Sequence, residues 1–177
     1  MSKSNTVSKL VVSAFLVALQ VILSRVLGIQ TQLFQISLGF VPIAISAMIF
    51  GPVWASATAL IADILGTVLL GTGAYNPLFS INAVLYALTF ALFFYKKEKT
   101  TLQIVICVVL QLILIAIPLT PLWLYIYYNF VLNAPKAFSI IFFPKLIASV
   151  VEAPIKIAVL IPLCKYLYPR LSKMLNL

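Results

Sequence analysis

Charged side chains interrupt this sequence rarely, and the intervals between them are long and apolar. None occurs at positions 26–62, 64–95 or 100–135. A bilayer core about 30 Å thick needs roughly 20 apolar residues per helix, so each interval has room for one or two spans. The intervals show little of the alternation that a soluble surface element would have. The pattern predicts an all-α integral membrane protein with six transmembrane helices, at roughly 10–27, 36–50, 53–70, 78–95, 102–126 and 143–168.

Composition supports a single membrane domain over residues 1–177. The chain is 64% hydrophobic and 8% charged, which leaves too little polar surface for a water-soluble fold. It has no histidine, and its two cysteines, Cys107 and Cys164, stand alone in apolar segments. We therefore expect no metal site, no disulfide and no cofactor. The amino-terminal segment lacks the cleavage site of a secretory signal peptide, so the first span should remain in the mature protein.

The net charge of +9 follows the predicted topology. Lysine and arginine are enriched on the cytoplasmic side of membrane proteins. With six spans, most basic residues fall on one side, and only Arg25, Lys136 and Lys145 fall near the other. Both termini should therefore be cytoplasmic, and the basic balance indicates topology rather than nucleic-acid binding. The residues on the cytoplasmic side are Lys3, Lys9, Lys96, Lys97, Lys99, Lys165, Arg170 and Lys173.

Two acidic residues, Asp63 and Glu152, lie inside predicted spans. A charge at the centre of a membrane helix costs roughly 2.5–3.5 kcal/mol on insertion scales, so each should face the protein interior and have a partner. Lys145, Glu152 and Lys156 share one helical face, because they are spaced by seven and four residues. Two interpretations stay open. Glu152 and Lys156 form an internal pair that cancels charge, or this face lines a polar cavity.

Cations on the side opposite the termini are candidates for anion recognition. Arg25, at the end of the first span, is either a snorkelling residue at the membrane interface or a fixed, bidentate partner for a carboxylate. In the second case Lys136 and Lys145 could share the anion with it.

Aromatic and amide side chains accompany these cations. Trp123 and Tyr127 belong to an aromatic run that ends the fifth span, and an aromatic belt at the membrane interface would explain it. Alternatively the rings are walls of a pocket for a flat heterocycle, with Asn129 or Asn133 reading its edge. Asn76 lies at the start of the fourth span, where a buried amide would need a partner.

Three segments then resemble a known family. Residues 36–44 read ISLGFVPIA, residues 48–54 read MIFGPVW, and residues 62–66 read ADILG. They are similar to the ISFGFIPIAL, MLFGPxWG and ADLIG run of S components, which are the vitamin-binding subunits of energy-coupling factor transporters. The folate-specific branch matches best, over residues 25–97. Gln35 departs from it, because that branch often has arginine there.

The resemblance implies a six-helix vitamin-binding subunit of the prokaryotic plasma membrane that is not itself an enzyme. S components hold a vitamin near the outer surface, dock on a transmembrane coupling subunit attached to two cytoplasmic ATPases, and release the ligand inside. Small residues four apart let another helix approach closely in a membrane. Ala14 and Ala18 have this spacing, and the pair is similar to the family's contact motif for the coupling subunit.

Folate fits the residues of the predicted outer side. It carries an aromatic pterin, a benzoyl ring and a glutamate with two carboxylates, so it needs stacking walls, amide hydrogen bonds and cations. The candidate ligand-binding residues are Arg25, Tyr75, Asn76, Trp123, Tyr127, Asn129, Lys136 and Lys145.

Alternatives remain open at this point. Pantothenate or a queuosine precursor could replace folate in a protein of the same family. An autonomous ion-coupled carrier could use Asp63, Glu152 and Lys156 as a charge relay. A membrane enzyme is disfavoured, since the chain has no histidine and no GxxxxGK[ST] nucleotide motif.

Overall fold

The computed structural model describes residues 3–30, 35–70 and 76–174, with side chains at 7–29, 36–70 and 76–171. Its helices are α1 (Lys3–Val21), α2 (Phe40–Phe50), α3 (Pro52–Leu70), α4 (Pro77–Phe94), α5 (Thr101–Gln111), α6 (Leu119–Ile126), α7 (Phe138–Pro162) and α8 (Tyr168–Met174). Single π-helical turns follow four of them, at Ile22–Val26, Leu112–Ala116, Tyr127–Val131 and Leu163–Leu167. Between α1 and α2, two strands of two residues each, β1 (Ile29–Gln30) and β2 (Gln35–Ile36), pair antiparallel.

Five helical stretches of the described chain are long and apolar enough to cross a membrane, as expected of a multi-span membrane protein. They are Val7–Val26, Pro52–Leu70, Pro77–Phe94, Thr101–Val131 and Phe138–Leu171. They correspond to five of the six predicted spans. The predicted spans at 102–126 and 143–168 left a long connection, 127–142, and this prediction was wrong. The π-helical turn after α6 carries the helix to Val131, and α7 begins at Phe138, so the connection covers only 132–137.

The second predicted span, at 36–50, is only partly helical. Helix α2 begins at Phe40, and its 11 residues measure about 17 Å at 1.5 Å per residue, well short of a bilayer core about 30 Å thick. All but one of these residues are buried, against α1, α3, α4 and α7. A helix that is apolar all round is a core helix, so α2 fills the centre of one half of the bundle.

Small residues let the first four helices pack closely. Along α3, Ala55, Ala59, Ala62 and Gly66 are all buried, where α3 packs against α1, α2 and α4. Without large side chains at these positions the helix backbones approach one another closely, which favours association where water is absent. Opposite this packed interior, α1 presents an exposed apolar face toward the membrane, which includes Val7, Leu10, Val11 and Phe15.

The tight turn between α2 and α3 depends on a glycine. Gly51 has φ +84° and ψ −171°, a conformation that is essentially restricted to glycine. A Cβ on this residue would also lie 3.0–3.1 Å from the Tyr95 ring, which covers the turn. Pro52 is the first residue of α3. A backbone N–H at this position has no hydrogen-bond partner within the helix, so the lack of one in proline costs nothing there.

We predict that Gly51→Ala destabilises the folded protein by about 1–3 kcal/mol, the usual cost of forcing a side chain into this backbone region. The apparent melting temperature in detergent, compared with the wild type, measures the effect. The double variant Gly51→Ala/Tyr95→Ala removes the ring but keeps the backbone strain. A melting temperature of Gly51→Ala equal to the wild type would contradict a strained turn.

Candidate ligand-binding site

The polar stripe of α7 faces the interior of the bundle. Its face is marked by buried Ile141, Ser149 and Leu160, and Lys145, Glu152 and Lys156 follow the same helical spacing. The opposite face carries exposed apolar side chains, including Phe143, Ile147 and Val150. The three charged residues therefore point away from the lipid, as expected of ionisable groups in a membrane helix.

Glu152 and Lys156 form an ion pair, which confirms the first of the two interpretations. The Lys156 Nζ atom lies 3.4 Å from Glu152 Oε2, and the side chains are 10% and 19% exposed. The ammonium also lies 4.8 Å from the ring centroid of Tyr86 on α4 and 5.8 Å from that of Phe40. Both distances are within the range of cation–π attraction, so Lys156 joins three helices.

The short α2 begins beside this pair. Phe40 is the first residue of α2 and lies beside Lys156, which is in the second half of α7. Towards the end of the bundle where α1 and α3 finish and α4 and α7 begin, the described residues 27–30 and 35–39 are not helical, and β2 contacts α7 there. We call this end the hairpin end. The candidate site is the region between Phe40 and the hairpin end, bounded by α4, α6 and α7.

Trp123 is held at the α4–α6 boundary by hydrogen bonds. Its indole Nε1 donates to Asn82 Oδ1 at 2.9 Å, and Asn82 Nδ2 donates to Thr120 Oγ1 at 3.1 Å. The Thr120 hydroxyl donates in turn to the Ile115 carbonyl at 3.2 Å. This chain of hydrogen bonds satisfies the buried Asn82 amide and fixes the Trp123 ring, whose N–H is already used within the protein.

The end of α6 is a cluster of rings with one cation. Tyr127 and Tyr128 meet edge to face at 6.1 Å, and Lys136 Nζ lies 3.9 Å from the Tyr128 ring centroid. Asn129 Nδ2 donates to the carbonyls of Tyr125 and Lys136, at 2.9 and 3.3 Å. Asn129 thus folds the connection between α6 and α7, and its two amide hydrogens are engaged by the protein.

Arg25 belongs to a polar cluster that connects α1, α3 and α4. Its Nη2 atom lies 3.3 Å from Asp63 Oδ1 and donates to Thr67 Oγ1 at 3.1 Å. The Ser80 hydroxyl donates to Asp63 Oδ2 at 2.7 Å. A Cβ on Gly66 would lie 3.1 Å from Arg25 Nε, so the glycine gives the side chain its path across α3. Asp63 has the partner that its place in a span required.

The snorkelling interpretation of Arg25 was wrong, because this side chain is 15% exposed and turned to Asp63. Its use as a cation for a ligand carboxylate stays a prediction. Asn76 caps α4, since its Oδ1 accepts from the Leu78 N–H at 3.0 Å. Its Nδ2 is buried without a hydrogen-bond partner among the described residues. Tyr75 lies outside the described residues.

The sequence did not single out Phe40 and Tyr86 as site residues. For Tyr86 the sequence held a usable signal. It follows Asn82 by four residues on α4, so the two share a helical face, and an amide within a membrane span is expected to face the protein interior. Phe40 had no such signal, since its place beside Lys156 follows from where α2 begins. Within the described chain, no group of three metal-ligating side chains is found.

Ala14 and Ala18 lie far from this site. Both are exposed on the membrane-facing side of α1, beside Phe15, which is 66% exposed. Along the helix axis Ala14 is about 16 Å from Arg25, at 1.5 Å per residue. The structure therefore separates the small-residue pattern from the polar interior.

A helical membrane protein with charged and aromatic side chains around an interior region has the features of a substrate-binding membrane subunit. Residues 8–164 match the family model described as ECF transporter, substrate-specific component. The chain belongs to this family, which confirms the resemblance seen in the sequence.

Individual relatives point to one branch. The folate transporter FolT of Clostridium novyi is 30% identical over 149 residues, which are 84% of this chain and 83% of that protein. FolT of Leuconostoc mesenteroides is 31% identical over 150 residues, 84% of this chain and 80% of that protein. Among solved structures, FolT bound with folic acid superimposes with a TM-score of 0.80 at 34% identity, covering 90% of this chain and 95% of that one.

We predict that Arg25 and Asp63 are energetically coupled. Arg25→Gln and Asp63→Asn should each destabilise the protein, because each leaves a partly buried charge without its counterion. The double variant should lose less free energy of unfolding than the sum of the two single losses, with a coupling energy of about 0.5–3 kcal/mol. Unfolding in detergent measures all three variants, and Ser80→Ala serves as the control that removes only a hydroxyl. Strict additivity would contradict the pairing.

Proposed function

We propose that this chain is the folate-binding S component of an ATP-driven vitamin importer. The observation that carries the proposal is its likeness to FolT bound with folic acid, at a TM-score of 0.80 over 90% of the chain. Chemistry adds support, because α4, α6 and α7 carry aromatic rings, amides and cations of the kinds that folate needs. ATP hydrolysis is assigned to partner subunits, so the chain binds its substrate and is not an enzyme.

The proposed topology keeps six crossings with both termini in the cytoplasm of a prokaryotic cell. The five long helices make five crossings, and the hairpin segment with α2 makes the sixth. The basic residues near α8 and between α4 and α5 then lie inside, where lysine and arginine are enriched. The hairpin end consequently faces outward at the plasma membrane, as import of an external vitamin requires.

The proposed ligand residues divide by chemistry. Trp123, Tyr127 and Tyr75 supply ring surfaces, and Lys136 and Lys145 supply charge for the glutamate carboxylates. Asn76 and Asn129 hold the ends of the connections in place, and Asn76 also brings a buried amide nitrogen. Arg25 contributes through its pair with Asp63, which fixes α1 against α3 beside the site.

We assign α1 to the coupling partner. Ala14 and Ala18 are exposed among apolar neighbours on the membrane face, and small side chains allow a partner helix to approach closely. The proposed partner is the transmembrane coupling subunit, which links the chain to two cytoplasmic ATPases. The ion-coupled carrier is less well supported, because Asp63 and Glu152 already have basic partners.

We expect the purified chain to bind folate without ATP and to show no sustained uptake when reconstituted alone in liposomes with an imposed ion gradient. Calorimetry with folate and with pantothenate identifies the vitamin. Tight binding of pantothenate without a folate signal would overturn the assignment. Gradient-driven uptake by the chain alone would instead favour the carrier.

The double variant Ala14→Trp/Ala18→Trp should abolish co-purification with the coupling subunit and ATP-driven uptake. Folate affinity should stay within about threefold, because both alanines are exposed on the membrane face and lie about 16 Å (Ala14) and about 10 Å (Ala18) from Arg25 along the helix axis. Ala158→Trp is a matched control, because Ala158 is also an exposed alanine of a membrane helix. Uptake by the double variant at the wild-type level would show that α1 does not dock.

A further inference from the structure

A shallow apolar cleft lies between α2 and α8, at the end of the bundle opposite the hairpin end. Met48 is buried, whereas Leu167 is 40% exposed, so the cleft extends from the core to the surface of the bundle. Its walls include Ile45, Met48 and Ile49 of α2, Leu167 of the π-helical turn, and Tyr168 and Leu171 of α8.

The depth of this cleft in the membrane follows from the length of the last helical stretch. Phe138–Leu171 has 34 residues and measures about 50 Å, which is longer than a bilayer core about 30 Å thick. Its first turns carry exposed apolar side chains such as Ile140 and Phe143, and its last turns carry exposed Lys165 and Arg170. The α8 end therefore reaches the head groups, and the cleft lies where acyl chains meet them.

A cation is fixed at one wall of the cleft. The Lys99 Nζ atom lies 3.7 Å from the ring centroid of Tyr168, within the range of cation–π attraction. The same ammonium donates to the Lys97 carbonyl at 2.9 Å. Since an ammonium has three donors, Lys99 keeps capacity for a further acceptor beside the apolar wall.

Positive charge is in excess around this cation. In the described part of the chain, the connection 95–100 and the residues from 165 onward contain a single acid, Glu98, and the basic side chains Lys96, Lys97, Lys99, Lys165 and Arg170. The ion pairs of the described residues are those of Asp63 and Glu152, and neither involves these cations. A negatively charged partner would complement this end of the bundle.

We propose that the cleft binds an anionic phospholipid, with an acyl chain against the apolar walls and the phosphate at Lys99. Basic residues next to a membrane helix attract anionic lipids, by about fivefold in affinity for each cation near the surface. The bound lipid connects α2, α8 and the segment between α4 and α5. The inference does not depend on which vitamin the chain carries.

A comparison of two lipids tests the inference on the wild-type chain, without any dependence on variant folding. Dioleoylphosphatidylglycerol and dioleoylphosphatidylcholine have the same acyl chains and differ in net charge. Native mass spectrometry of the purified chain in detergent should show roughly fivefold or tighter binding of the phosphatidylglycerol. Equal affinity for the two lipids would overturn the inference. Displacement of the phosphatidylglycerol by excess glycerol 3-phosphate would also overturn it, because a free phosphate ester would then suffice.

The charge at the cleft is tested by a matched pair of lysine variants. Lys99→Gln should weaken phosphatidylglycerol binding about fivefold and leave phosphatidylcholine binding unchanged. Lys136→Gln is the control, since Lys136 also lies over a tyrosine ring, 3.9 Å from that of Tyr128, but outside the cleft. An equal loss in both variants would show a general effect of surface charge and would contradict a site at Lys99.

The apolar walls are tested by filling the cleft. Leu167→Trp should weaken the binding of both lipids, because the larger side chain occupies the space of the acyl chain. Leu102→Trp is the control, since Leu102 is an exposed leucine at the same end of the bundle but outside the cleft. Wild-type lipid affinity in a folded Leu167→Trp variant would overturn the inference. If that variant instead lost only co-purification with the coupling subunit, the cleft would be a protein contact and not a lipid site.

Discussion

The requirement that polar groups inside a membrane find partners within the protein governs this structure. Water cannot compensate an unpaired donor or charge in the hydrocarbon core, so each costs several kcal/mol. The interior polar groups accordingly connect different helices: Arg25 with Asp63, Asn82 with Trp123, and Ser46 with Thr58 at 3.2 Å. These contacts fix the relative positions of α1, α2, α3, α4 and α6. The Glu152–Lys156 pair meets the same requirement within α7, beside the candidate site.

The bundle has two parts with different packing, and the candidate site lies between them. Helices α1 to α4 approach closely through small residues such as Ala59 and Gly66, which suits a fixed scaffold. In the second part each of α5, α6 and α7 is followed by a π-helical turn, whereas in the first part only α1 is, and α7 has prolines at positions 144, 154 and 162. Such irregularities occur frequently at functional sites. Tyr86 of the first part faces Lys156 of the second, so a ligand between them would contact both.

The polar contact of Arg25 and the proposed docking surface lie on separate parts of α1. Arg25, at the end of this helix, pairs inward with Asp63 of α3. Ala14 and Ala18 face outward, about three and about two turns away along the helix. Because these two parts of α1 have different neighbours, a substitution in one is not expected to disturb the other.

The sequence by itself determined that this is a helical membrane protein, which of its acids needed partners, and the family to which it belongs. These follow from local properties: the length of charge-free intervals, the cost of a buried charge, and short motifs. It also predicted the Glu152–Lys156 pair, since i and i+4 residues meet on any helix. Only the tertiary structure decided that Asp63 pairs with Arg25, 38 residues away. It alone showed that α2 begins at Phe40, with the Phe40 ring 5.8 Å from the Lys156 ammonium. Both facts depend on how different helices pack against one another. The spacing of residues along the sequence does not determine which residues of separate helices come into contact.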